Sequence, residues 1–259
     1  MTIIIILAVI AVVAYVLLKK DNNASTGKHQ QGNHNAATSA PQKKMPVQSW
    51  EATWQPSAPV MASGKCGANV NWALYENGEL IITGNGPMYD YYPATMEDGK
   101  KVTPWYRHRM AIKSAKVGRG ITYLGDWVFA YCKNLEDVTL SCTTETMPWG
   151  GFFDCAKLQH IVVPNGVKRI RSDCFLDCSS LFMVRLPNGV NEIGDSAFSG
   201  CRSLQSINLP ESLTDIDGYA FAHCPSLRQI RIPRGTSYIH KNAFYNSGVN
   251  IPPRGYGAM

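Results

Sequence analysis

NGVNEIGDSAFSGCRSLQSINLP (residues 188–210) is followed directly by ESLTDIDGYAFAHCPSLRQIRIP (residues 211–233), and the two stretches share one pattern of 23 residues. In this pattern, cysteine follows phenylalanine by three residues, and leucine, isoleucine and proline follow in the same register. A fixed period in the twenties is typical of a solenoid, in which each repeat buries its apolar face against its neighbours. The phenylalanines are Phe129, Phe152, Phe175, Phe198, Phe221 and Phe244, and the cysteines are Cys132, Cys155, Cys178, Cys201 and Cys224.

Each repeat predicts one coil of mainly β structure. The Leu-x-x-Ile-x-Leu segment ends in an alternation of period two, which is typical of a strand with one buried face. The proline that follows has no N–H and therefore ends the strand. Residues 194–200 are too few for a full helix, and we expect one short helical turn there. The prediction is a solenoid of about six 23-residue coils.

The repeats resemble those of the BspA-like class of bacterial leucine-rich repeat proteins. The resemblance extends upstream to GKCGANVNWALYENGELIITGNGPMYDY (64–91) and TPWYRHRMAIKSAKVGRGITYLG (103–125), which look like the segment that often precedes such repeats. It implies a leucine-rich repeat fold. As to function, it implies a surface-associated protein that binds other macromolecules.

Four regions are predicted: a transmembrane anchor (1–20), a flexible polar linker (21–62), an N-terminal cap (63–116) and the repeats with a C-terminal cap coil (117–259). Asn77-Gly78 predicts a β-hairpin in the N-terminal cap, since this pair tolerates positive φ. Trp72, Trp105 and Tyr106 are predicted to pack over the first coil. The last coil has Ser247 in place of cysteine and is three residues short, with Val249 and Ile251 as its expected final strand.

Residues 3–18 form an unbroken apolar run. With the first two residues it would span about 27 Å as a helix, enough for a bilayer core. No basic residue precedes the run and no small-residue cleavage site follows it, so we expect an uncleaved single-pass anchor. Lysines follow it at Lys19 and Lys20, and the positive-inside tendency places that flank in the cytoplasm. The family resemblance implies the cell surface, so the side that the repeats face stays open.

The linker is rich in Asn, Gln, Ser, Ala, Thr and Pro, a composition that cannot form a core. Trp50 and Trp54 near its end fold onto the cap, touch the membrane interface or stay exposed. Residues 19–62 carry five basic and two acidic residues, whereas the repeats carry thirteen and twelve. The repeats are therefore almost neutral and lack the basic stripe that nucleic-acid binding requires.

No residue pattern points to catalysis, a cofactor or a metal. The cysteine spacing of 23 is unlike the short paired spacings of zinc sites. The closest pair, Cys174 and Cys178, is explained by packing, because both occupy core positions of one coil. We therefore expect a protein that is not an enzyme.

The candidate site is the outward face of the strands, which we call the strand face. Two functions are consistent with it. One is a membrane-anchored binding module for a protein or glycan partner, and the other is a structural or scaffolding envelope protein that self-associates. The predicted strand-face residues are Asp137, Thr139, His160, Val162, Met183, Arg185, Ser206, Asn208, Gln229 and Arg231.

Overall fold

The computed structural model describes residues 50–92 and 101–255. Its N-terminal part contains six strands: β1 (Val60–Gly67), β2 (Val70–Tyr75), β3 (Glu79–Gly84), β4 (Gly86–Pro87), β5 (Ser114–Val117) and β6 (Ile121–Tyr123). β2 and β3 form the predicted antiparallel hairpin around Asn77-Gly78. Gly78 has φ +88, and a Cβ there would lie 2.5 Å from the carbonyl oxygen of Ala111. Only glycine fits this turn.

Ten further strands follow in the repeats. They are β7 (Asp137–Leu140), β8 (Thr146–Met147), β9 (His160–Val162), β10 (Arg169–Ile170), β11 (Met183–Arg185), β12 (Glu192–Ile193), β13 (Ser206–Ile207), β14 (Asp215–Ile216), β15 (Gln229–Ile230) and β16 (Tyr238–Ile239). The even-numbered strands form one parallel five-stranded sheet in the order β16-β14-β12-β10-β8. The odd-numbered strands follow the predicted Leu-x-x-Ile-x-Leu segments. Every coil of the array therefore contributes a strand to each of two sides.

The cap and the repeats share one sheet. Its order is β1-β2-β3-β5-β7, with β5 parallel to both β3 and β7. Ser114 pairs with Asp137 and Lys116 pairs with Thr139, so β5 lies one 23-residue period upstream of β7. The strand ladder of the repeats therefore continues into the cap.

The segment around each phenylalanine consists of tight turns rather than a helical turn. Asp173 and Asp177, on either side of Phe175, have left-handed φ angles of 57 and 60. The N–H groups of Asp173, Phe175 and Asp177 donate to carbonyl oxygens of the next coil at 2.8–2.9 Å. A helix would direct these groups along its own axis, whereas here they bond the coils to one another. The predicted fold class, a mainly β leucine-rich repeat solenoid, is confirmed.

The phenylalanine rings form a continuous stack through the core. Neighbouring rings from Phe129 to Phe244 lie 5.1–5.3 Å apart between centroids, at interplanar angles of 6–29°. Trp105 covers the N-terminal end of the stack, with its ring 6.4 Å from that of Phe129. Trp72 packs against Trp105 at 5.6 Å, and both are buried, as predicted, while Tyr106 is half-buried.

The ladder cysteines are core residues with a hydrogen-bonding role. The thiol of Cys178 donates to the carbonyl oxygen of Phe152 at 3.1 Å, and that of Cys201 donates to Phe175 at 3.3 Å. Cys155 and Cys224 bond the preceding coil in the same way. Cysteine therefore supplies a small apolar side chain and a second donor to a carbonyl that already accepts a backbone N–H from its own coil.

The prediction of a final strand at Val249 and Ile251 is wrong. Both side chains are partly buried against the core, but the segment forms no strand with β15. Pro252 and Pro253 follow it and have no N–H to donate. Instead, Arg254 forms an antiparallel bridge to Ile239 in β16, with N–O distances of 2.8 and 3.0 Å. The C-terminal segment thus pairs with β16 at the end of the five-stranded sheet, whereas beside β15 it contributes only the packing of Val249 and Ile251.

Residues 50–62, at the end of the predicted linker, pack on the cap. The Glu51 carboxylate accepts a bond from the backbone N–H of Arg119 at 2.6 Å, and the Trp54 indole donates to Glu79 at 3.3 Å. Of the three alternatives for Trp50 and Trp54, folding onto the cap is the one found. The predicted anchor (1–20) and the rest of the linker lie outside the described residues. Within residues 50–92 and 101–255, no helix combines the length and apolar character needed to cross a bilayer.

Replacing Phe198 by alanine is expected to lower the free energy of unfolding by about 3–5 kcal/mol, because the ring is fully buried between those of Phe175 and Phe221. The matched control is Phe244→Ala, which removes a ring stacked on one side only and should cost less. Chemical denaturation measures both. A loss below about 1 kcal/mol for Phe198→Ala would contradict the assignment of this ring to the core.

Candidate functional site

The strand face is built by alternation along the odd-numbered strands. The central residues Val138, Ile161 and Val184 are buried, and their neighbours on each side point outward. Of the ten predicted residues, Thr139, His160 and Met183 are half-buried and the others are exposed. All ten therefore lie at the surface.

The structure brings these residues together in register. Met183 pairs with His160, and Arg185 pairs with Val162, whose side chain is 55% exposed. Ser206 pairs with Gln229 in the next two strands. Sequence reasoning missed Ser114 and Lys116, which extend the same face into β5. They precede the first phenylalanine, and the register of the repeat therefore did not assign them to the strand face.

An ion pair joins two coils near the N-terminal end of the strand face. The Nε2 atom of His160 lies 3.2 Å from Oδ1 of Asp137. The hydrogen bond that His160 donates to Asp137 raises the pKa of His160 above its ordinary value, and the same bond lowers the pKa of the Asp137 carboxyl. Both side chains are about half exposed, so solvent screens this pair.

A groove of about 720 Å³ occupies the C-terminal end of the strand face. Four predicted residues line it: Ser206, Asn208, Gln229 and Arg231. Arg228 and the segment 248–251 complete its walls. The groove lies where the last coil is three residues short and forms no strand beside β15.

The edge of β15 carries backbone groups whose equivalents in the second coil bond the third coil. The N–H of Val163 donates to Arg185 O, and Gln159 O accepts from the N–H of Phe182, both at 3.0 Å. The equivalent groups of the fifth coil are the N–H of Ile232 and the carbonyl of Arg228. Neither has a backbone partner among the described residues. Edge groups of this kind are a template for pairing with another chain.

Two arginines, Arg228 and Arg231, line the groove. Arg231 forms an ion pair with Glu211, while Arg228 has no ion-pair partner in the described part of the chain. Amide and hydroxyl groups supply the remaining polar surface, from Asn208, Gln229 and Ser206. This composition suits a partner with carboxylates and free backbone groups.

The buried thiols are unsuited to nucleophilic chemistry. All eight cysteines are free and buried. Burial raises the pKa of the Cys132 and Cys224 thiols to about 12, so both stay protonated at neutral pH. Among residues 50–92 and 101–255, no three His, Cys, Asp or Glu side chains are placed to hold a metal ion.

A second groove was not predicted from the sequence. It lies on the side of the even-numbered strands, and its volume is about 530 Å³. The available signal was a tryptophan at a position where most other coils carry small or acidic residues. Its lining residues are Thr146, Trp149, Arg169, Arg171, Ser172 and Glu192.

The repeats match the family described as the BspA type leucine rich repeat region, in six copies over residues 105–181 and 145–251. These matches span more than half of the 259 residues, and the chain belongs to this family. Leucine-rich repeats of this kind are protein–protein interaction modules. No curated protein matches the chain.

Several solved structures are similar to the chain. The T. pallidum leucine rich repeat protein TpLRR is 26% identical, with a TM-score of 0.47, covering 63% of this chain and 79% of that one. A Bacteroides ovatus leucine-rich repeat protein is 22% identical, also with a TM-score of 0.47, covering 70% and 56%. A leucine rich cell surface protein from Faecalibacterium prausnitzii is 17% identical, with a TM-score of 0.31, covering 70% and 72%. The family membership rests on the repeat match, since these TM-scores are below 0.5.

The pKa of His160 is expected to lie above 6.5 and to fall in Asp137→Asn, because that change removes the carboxylate that favours the imidazolium. The contribution of His160 to stability is present below pH 6.5 and is lost as the pH rises through its raised pKa. The contribution of Asp137 is present above pH 3.8 and is lost as the pH falls through its lowered pKa. NMR titration of the histidine ring measures the shift, with the remote His240 as internal control. An unchanged His160 titration would contradict the pair.

Proposed function

We propose that this protein is a membrane-anchored binding module that recognises a protein partner through the strand face. The observation that carries the proposal is the C-terminal groove, where four of the ten predicted residues lie beside the open edge of β15. Membership of the BspA type family supports a role in protein interaction. Under this proposal, the partner binds in the groove.

A protein segment suits the groove better than a glycan. An extended peptide can pair its backbone with the groups on the edge of β15 and place alternate side chains in the groove. Arg228, which has no ion-pair partner among the described residues, favours acidic side chains on that segment. A neutral glycan would leave the β15 backbone groups without partners of matching spacing. The preferred partner is therefore an extended acidic segment of another protein.

Self-association is the competing function, and the same edge of β15 supports it. In a twofold arrangement, β15 of one copy would pair with β15 of the other. The unpaired Arg228 of each copy would then approach that of the other, and like charges across an interface are unfavourable. Light scattering on the full chain in detergent separates the two functions. A monomer would argue against self-association, and a dimer or larger assembly would support it.

The anchor rests on the apolar run at residues 3–18 and places the repeats beside a membrane. The charge of the following lysines predicts a cytoplasmic orientation, while the resemblance to surface-associated proteins favours the outside. The repeats bind their partner on whichever side they face.

A photo-crosslinking residue at Gln229, in the full chain in its own cells, is expected to yield an adduct with a discrete protein. Arg185→Glu together with Arg231→Glu should reduce that adduct several-fold, since both changes reverse charge on the strand face without touching the core. Gel analysis and mass spectrometry of the adduct provide the measurement.

The control for position is the same photo-crosslinking residue at the exposed Arg202, which lies in the turn before β13 and outside the strand face. The control for charge is Arg202→Glu. Adducts that form equally at 202 and 229, or that survive both strand-face reversals unchanged, would reject the strand face as the binding surface.

A cysteine introduced by Ser25→Cys reports the orientation of the anchor. The native thiols are buried and should not react, so the added thiol is the only reactive one. The charge rule predicts labelling by a membrane-impermeant maleimide only after permeabilisation. The unmodified chain is the control. Labelling in intact cells would refute the cytoplasmic orientation and place the repeats outside.

A further inference from the structure

We propose that the second groove, here called the Trp149 groove, binds a neutral β-linked oligosaccharide. It is defined by Thr146, Trp149, Arg169, Arg171, Ser172 and Glu192. It lies on β8, β10 and β12 and the turn after β8, on a different sheet from the strand face. The proposal is independent of the protein-binding function.

The Trp149 indole is exposed but fixed. The residue is 39% exposed, yet both its indole and its backbone are anchored. The indole Nε1 donates to Oδ2 of Asp173 at 3.0 Å, and the backbone N–H donates to Oδ1 of Asp126 at 3.0 Å. The Trp127 ring supports it at 5.9 Å between centroids. A ring held in this way loses little conformational entropy when a ligand stacks on it.

The adjoining glycine allows this arrangement. Gly150 has φ +57, and a Cβ there would lie 2.4 Å from the Trp127 ring. The missing side chain leaves room for Trp127, against which Trp149 rests. The exposed Trp149 ring therefore depends on a glycine at position 150.

The polar wall of the groove is also organised. Arg171 bonds Oδ1 of Asp126 at 2.6 Å, which fixes its guanidinium and neutralises its charge. Arg169 and Glu192 are register partners in adjacent strands, and neither forms an ion pair within the described residues. Their opposite charges cancel across the groove. A strongly anionic or cationic ligand gains no net attraction there.

These features select a ligand that is neutral, polar at its edges and apolar on one face. Pyranose rings in β-linkage meet this description, since their equatorial hydroxyls leave a flat face of C–H groups. That face stacks on an aromatic ring, and neighbouring hydroxyl pairs match the two-pronged guanidinium of Arg169 and the carboxylate of Glu192. The groove is shallow and mostly polar, so a purely apolar ligand would bury little surface in it.

The test is calorimetric titration of the full chain in detergent with cellotriose, laminaritriose and triacetylchitotriose. At least one trisaccharide is expected to bind. Trp149→Ala should weaken that binding by about tenfold or more, because the stacking platform is removed. Trp149→Phe keeps an aromatic face and should weaken it less. Tyr245→Ala is the matched control, since Tyr245 is an exposed aromatic (56%) in the last coil, and it should leave binding unchanged.

Circular dichroism measures whether each variant is folded. If Trp149→Ala is unfolded, Arg169→Ala and Trp149→Phe take its place, and both are expected to weaken saccharide binding. Failure of all three trisaccharides to bind at millimolar concentration would overturn the proposal. Binding that Trp149→Ala leaves intact would overturn it as well. Saturable binding of inorganic phosphate without any saccharide would show an anion site at Arg169 instead, and would also overturn it.

Discussion

The contact between successive coils is the constraint on which the rest of this structure depends. Each coil is too small to bury its own phenylalanine, and the ring is covered only because the next coil places an equivalent ring about 5 Å away. Backbone N–H groups on either side of the ring bond the same neighbouring coil, and the ladder thiols bond the preceding one. Ring stacking and hydrogen bonding therefore require the same spacing, so an insertion or deletion in a coil affects both.

This constraint separates the residues that build the array from those that are free to bind. The Phe and Cys positions face neighbouring coils and stay nearly identical along the chain. The flanks of each strand face solvent, and their chemistry changes from coil to coil: His160 and Met183 occupy one register position, Val162 and Arg185 another. A recognition surface in this fold therefore consists of variable side chains on a regular backbone. The two ends of the repeat array are covered differently, by Trp105 at the N-terminal end and by the bridge from Arg254 to Ile239 at the C-terminal end.

The solenoid and its coil length were predictable because the same residue pattern occurs in every repeat. Six phenylalanines at one spacing fixed the coil length, and the alternation beside Ile161 and Val184 fixed which side chains face outward. The turns around Phe198 were not predictable in detail, because the short Gly-Asp-Ser-Ala segment before it is compatible with a helical turn or with paired left-handed residues. The bonds to the next coil decide between them, and these are non-local. Pairing of Lys116 with Thr139 was missed for the same reason, since it joins the cap to the repeats.

Both candidate grooves arise where the sequence departs from its own period. In the last coil, three residues are missing and two prolines follow, so no strand forms beside β15, where Ile232 N–H and Arg228 O have no backbone partner among the described residues. In the second coil, a tryptophan stands where most other coils have small or acidic residues, and its indole is exposed and held in place. Concave surface also occurs between regular coils, beside Asp177, Arg202 and His223. The two departures are distinguished from it by a fixed, exposed indole and by a shortened last coil, and such departures are therefore the first places to search for binding sites in a repeat sequence.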